Sequence, residues 1–78
     1  MVLHEFWKDT KGHGEVWAVE IHDGHVYRVC GPFTEGEVAD NEELLDSLDY
    51  STTRARWIEE RRDRFERWEA PHSVIFPT

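Results

Sequence analysis

The chain has one cysteine, Cys30, two lysines, and no apolar run approaching a membrane span. A single cysteine excludes a disulfide within the chain, and a lone thiol beside β-branched neighbours fits a reducing interior. A secretory leader needs a basic stretch and then an apolar one, and residues 1–9 offer neither. Crossing a bilayer takes about 20 apolar residues. A cytoplasmic protein without membrane association is therefore expected. No repeat or low-complexity segment is present. No catalytic, nucleotide-binding or metal-binding signature stands out, so neither enzymatic activity nor a cofactor is expected.

Seventy-eight residues make one domain, close to the size at which a single core is barely adequate. Four tryptophans offset part of that shortage, since each buried aromatic removes about 150–250 Å² from water. Trp7, Trp17, Trp57 and Trp68 are thus candidate core residues.

The formal charge of −8 is unevenly spread. Residues 34–49 hold seven acids (Glu35, Glu37, Asp40, Glu42, Glu43, Asp46, Asp49) and no base. Residues 50–78 hold six arginines against five acids. Nucleic-acid binding depends on Lys and Arg neutralising phosphates, so direct contact with nucleic acid is not expected. A field of this sign favours a basic partner.

Residues 15–30 read as a β-hairpin. Two runs rich in Val, Ile, Trp and Tyr flank Asp23-Gly24, a pair suited to a type I′ turn because both central residues need positive φ. Strict alternation then sets His22 opposite His25, Ile21 opposite Val26, Val19 opposite Arg28 and Trp17 opposite Cys30. One face would carry Trp17, Val19, Ile21, Val26, Arg28 and Cys30. The other would carry Val16, Ala18, Glu20, His22, His25, Tyr27 and Val29, a mixed surface with an apolar patch that something could cover. Residues 2–8 supply a further strand, and Gly31-Pro32-Phe33 is expected to end the sheet.

Thr34-x-x-Glu37 and Asp40-x-x-Glu43 both match the capping box, with Gly36 favouring the later start. Ser51 or Thr52 is expected to cap a long helix reaching Glu69 before Pro71. Trp57, Ile58, Phe65 and Trp68 would form its apolar stripe, and the i,i+4 pairs Arg56–Glu60, Glu60–Arg64, Arg62–Glu66 and Asp63–Arg67 its solvated faces. The tail, residues 72–78, is β-prone. The expected fold is α+β: a three-stranded antiparallel meander (2–8, 14–22, 25–30) packed on one face by a short helix near 41–48 and a long C-terminal helix, 52–69. A short C-terminal strand is allowed.

Two functional readings compete. In the first, Glu35, Glu37, Asp40, Glu42, Glu43 and Asp46 form a carboxylate array that docks on a protein with a basic surface, as an inhibitor imitating nucleic-acid phosphates would. In the second, His22 and His25, cross-strand neighbours beside the turn, hold a metal. Zinc takes three or four protein ligands, and Cys30 lies at the far end of the hairpin, so no metal ligand is assigned. A homodimer formed through the tail or the tryptophans is the remaining structural alternative. Arg28 and Arg61, on apolar faces, are expected to pair with acids or to stack on aromatic rings.

Overall fold

The computed structural model describes residues 1–40, Asp40 by its backbone alone, and residues 48–70. Strands β1 (Val2–Asp9), β2 (Val16–His22), β3 (His25–Phe33) and β4 (Phe65–Trp68) form one antiparallel sheet in the order β3-β2-β1-β4. Helix α1 (Glu35–Asp40) follows β3, and α2 (Ala55–Glu59) leads through a 3-10 turn at Arg62–Arg64 into β4. The three-stranded meander is present, and β4 enlarges it.

Asp23 and Gly24 have φ of 50° and 84°, the two left-handed conformations that a type I′ turn requires. His22 pairs with His25 and Ile21 with Val26, as the turn dictates. Beyond that point the register slips. Glu20 pairs with Arg28, Val19 with Val29 and Ala18 with Cys30, so Tyr27 is an extra residue bulged out of β3. The expected pairs Val19–Arg28 and Trp17–Cys30 do not form. The bulge has a packing cause: Val26 and Val29 are both buried on the same face although three residues separate them. Uninterrupted alternation would send one of them to the other side.

β3 does not end at Gly31. It continues through a second irregularity and the cis Gly31–Pro32 bond to Phe33, which pairs with Val16. Proline is tolerated there because β3 is an edge strand. Gly31, at φ 148°, lies against Trp17. A Cβ added to it would come within 3.0 Å of Trp17 Cε3 and 3.2 Å of the Val16 carbonyl oxygen.

Both sheet faces are covered. On one, Trp7, Trp17, Val19, Ile21, Val26 and Val29 pack with Ala55 and Ile58 of α2 and with Phe65. On the other, Phe6, Val16 and Ala18 pack with Val38 of α1, flanked by Leu48, Tyr50 and Trp68. Trp7 and Trp17 are core residues, while Trp57 and Trp68 are half-buried at its margins.

The long helix is the main correction. Only Ala55–Glu59 is α-helical, and Phe65 has extended φ and ψ of −108° and 147°. β4 then pairs with β1, Phe6 with Trp68 and Asp9 with Phe65. As a strand, this segment sends Phe65 to the face of Trp7 and Trp57, and Trp68 to the face of Phe6. A helix would put both aromatics on one side. Burying a side chain such as Phe is worth about 1.5–3 kcal/mol, against about 0.2–0.5 kcal/mol for each helical ion pair. Of the four expected pairs, Arg56–Glu60 forms at 2.9 Å. Arg64 turns instead to Asp9, donating Nε and Nη2 at 2.9 and 2.8 Å, and its carbonyl accepts from Thr10 N. Packing outweighs the local pattern.

The first capping box operates: Glu37 N donates to Thr34 Oγ1 at 3.0 Å and Thr34 N to Glu37 Oε1 at 3.1 Å. The helix therefore starts ahead of Gly36. The later start, the helix near 41–48 and the tail at 72–78 fall outside the described residues. Ser51 caps no helix; it bridges Val29 through two backbone hydrogen bonds of 2.8 Å.

Substituting Gly31→Ala forces a Cβ onto Trp17 and a side chain into a conformation that disfavours one. The variant should lose about 1–3 kcal/mol of stability, read as a lower urea midpoint with an unchanged slope.

Candidate functional site

The bulge at Tyr27 sets the geometry of a polar cluster at the hairpin end of the sheet. It turns Arg28 onto the same face as Glu20, and the register lines up His4, Glu20 and Arg28 across β1, β2 and β3. Glu20 accepts four hydrogen bonds. Its Oε1 takes His4 Nε2 at 3.0 Å and Arg28 Nη2 at 3.0 Å; its Oε2 takes His22 Nε2 at 2.8 Å and Arg28 Nε at 2.9 Å. A carboxylate offers about four lone-pair sites, so this one is saturated.

The Glu20 side chain is 7% exposed. The hydrogen bonds from Arg28 outweigh the cost of burial and, with those from His22 and His4, hold its pKa down at about 2. An ionised carboxylate only accepts, which places a hydrogen on Nε2 of both histidines. The aromatics complete the setting. Tyr50 lies under the Arg28 guanidinium, 5.2 Å from it, and meets His4 edge to face at 6.0 Å. His22 stacks on the bulged Tyr27 at 4.3 Å. Burial pushes the Tyr50 phenol up to about 12, so it stays neutral, and its buried hydroxyl has no hydrogen-bond partner among the described residues.

The two halves of this sheet face differ. α1 and Trp68 cover the apolar half around Phe6 and Ala18. Over the polar half lies a cleft of about 430 Å³, lined by Val2, His4, Glu20, His22 and Arg28.

The histidines of the metal reading diverge. His22 and His25 are register partners, yet His22 Nε2 bonds Glu20, whereas His25 Nδ1 lies 3.3 Å from Glu59 of α2. Glu59 also accepts from Val26 N at 2.9 Å, closing part of the β3 edge. Among the described residues, no group of three His, Cys, Asp or Glu side chains is placed to hold a metal. Cys30 is half-buried, and burial pushes its thiol up, away from the nucleophilic thiolate.

Of the acidic array, Glu35 bonds Lys8 Nζ at 2.8 Å and Glu37 closes the capping box. Asp40 ends α1, and Glu42, Glu43 and Asp46 lie outside the described residues. Of the two arginines expected on apolar faces, Arg28 is moved by the bulge to the Glu20 face, where it pairs with that acid, and Arg61 sits 4.8 Å over Trp57.

The Glu20 cluster was the feature that alternation hid. Its signal is present in the sequence: a lone acid inside Val-Trp-Ala-Val-Glu-Ile, facing a strand whose one base is Arg28. Two opposite charges in apolar strands, assigned to opposite faces, call for a bulge that unites them.

No family model, curated protein or solved structure matches the chain. Among the described residues, no helix is long and apolar enough to cross a membrane.

Glu20 has a lower pKa folded than in the unfolded chain. Its ionised form therefore adds stability above the ordinary value of 4.5, and that stability fades as pH falls towards about 2. Glu20→Gln should be less stable by about 1–3 kcal/mol near neutrality. The gap from the parent protein should shrink as pH is lowered from about 6 to about 2.5, measured by urea denaturation across that range. Asp9, also held down by its Arg64 partner, contributes equally to both proteins and drops out of the difference.

Proposed function

We propose that this protein is a non-catalytic acidic interaction module that docks residues 34–49 on a basic surface of a protein partner. The observation that carries the reading is where the arginines go. Arg28, Arg56, Arg62, Arg64 and Arg67 are engaged with Glu20, Glu60, Glu59, Asp9 and Glu5, all outside the acidic segment. Five of the nine Lys and Arg side chains thus form ion pairs in the sheet and around α2. The segment with seven acids and no base keeps its own sign.

A concentrated negative field speeds encounter with a cationic surface and selects against partners of like charge. The docking residues in this reading are Glu35, Glu37, Asp40, Glu42, Glu43 and Asp46. Glu35 shares its charge with Lys8; Glu37 stays exposed while it caps α1. One concrete form is an inhibitor or regulator that occupies the basic surface of a nucleic-acid-binding protein.

Converting Glu37, Glu42 and Glu43 to Gln, and Asp40 and Asp46 to Asn, removes five charges and keeps the capping pattern, because Gln also serves at that position. Basic proteins captured by the parent chain from a cell lysate should be lost with this variant. They should also be released by raising salt from about 0.15 to 1 M, where the screening length falls from about 8 to 3 Å. Capture that survives both treatments rules out charge as the basis of recognition.

A further inference from the structure

We infer that the cleft over Glu20 and Arg28 is a binding site for a small organic carboxylate, with the anion on Arg28 and the apolar body against Val2 and His22. This inference does not rest on the docking reading.

The guanidinium carries the argument. Arg28 has five N–H donors and gives two to Glu20, at 2.9 and 3.0 Å. Glu20 thereby holds one edge of the group, and the Tyr50 ring covers one of its faces at 5.2 Å. Three donors remain, without acceptors among the described residues, on a side chain that is 44% exposed and lines the cleft. A guanidinium held on one edge and one face loses little freedom when it binds a second carboxylate. Glu20 is saturated and nearly buried, so it positions Arg28 and contributes little free negative charge to the opening.

The other walls narrow the class of ligand. Val2 is apolar, and the His22 ring, 40% exposed in its side chain and backed by Tyr27, offers a flat surface. A volume of about 430 Å³ is in the range of small-molecule sites. The protein carries a net charge of −8, which penalises every negative charge brought to it. A monoanion with an apolar body is therefore favoured over a phosphate dianion, which pays that penalty twice and has no use for Val2.

The test is a titration of the isotope-labelled full chain by two-dimensional NMR with three probes: benzoate, acetate and inorganic phosphate. Benzoate should give saturable shifts confined to the region of Val2, His4, Glu20, His22 and Arg28. It should bind more tightly than acetate, and phosphate should bind no better than acetate. Arg28→Lys keeps the charge beside Glu20 but loses the fork, and should weaken benzoate binding about tenfold. His22→Ala should reduce the preference for benzoate over acetate. Arg54→Ala, at an exposed arginine outside the cleft, should change nothing. The dispersion of each variant's spectrum reports separately that it is folded. Linear, unsaturated shifts, shifts that Arg28→Lys leaves unaltered, or phosphate binding as tight as benzoate would each overturn the assignment.

Discussion

One extra residue in β3 governs the rest of the molecule. Because Tyr27 is bulged out, the side chains before and after it change sides relative to β2, and two requirements are met together. Val26 and Val29 both reach the core beneath α2, and Arg28 reaches the carboxylate of Glu20. With unbroken alternation Arg28 would lie among the tryptophans and valines, and Glu20 would be buried without a cation. Leaving a buried charge unpaired costs several kcal/mol. Against that, the cost of interrupting one ladder is small. The bulge is the cheaper arrangement, and it follows from where two charged residues sit in two otherwise apolar strands.

What could be read from the sequence divides along the same line. The Asp23-Gly24 turn, the meander, and the capping box at Thr34 and Glu37 are local features. Each is decided by a few neighbouring residues and each is present. β4 is decided elsewhere. Residues 60–69 have the charge spacing of a helix, and in isolation that spacing would favour one. The edge of β1 offers this segment a hydrogen-bonded ladder, an Arg64–Asp9 fork, and burial for Phe65 and Trp68 on opposite faces. The β1 residues that supply the ladder and the fork, Phe6 to Asp9, lie more than 50 residues before it in the chain. Periodicity reports the helix because periodicity contains nothing about Asp9.

The same distinction explains why strict alternation yields the His22–His25 pair but not the Glu20 cluster. The histidine pair follows from the turn alone, and the register does place the two residues opposite each other. What each imidazole does next depends on a third side chain. For His22 that is Glu20, two residues back on the same face; for His25 it is Glu59, from a helix 34 residues later. Cross-strand proximity brings two rings near one another, but the nearest acceptor orients each ring. Here the acceptors lie in different directions.

The way charges are paired also shapes the surface left over. A small acidic chain with nine basic residues could have spread them to lower its own repulsion, and it has not. Arg28, Arg62 and Arg64 each combine an acid partner with an aromatic ring: Glu20 with Tyr50, Glu59 with Trp7, Asp9 with Trp57. Their charge is bound into the sheet and its margins, where it offsets carboxylates that burial would otherwise make unfavourable. Among the described residues, none of these three arginines pairs with an acid of segment 34–49. An isolated surface ion pair contributes about 0–1 kcal/mol, so removing the arginines from that segment costs little stability, while the field it projects is kept. Pairing in the interior and asymmetry outside are thus two consequences of one distribution of arginine.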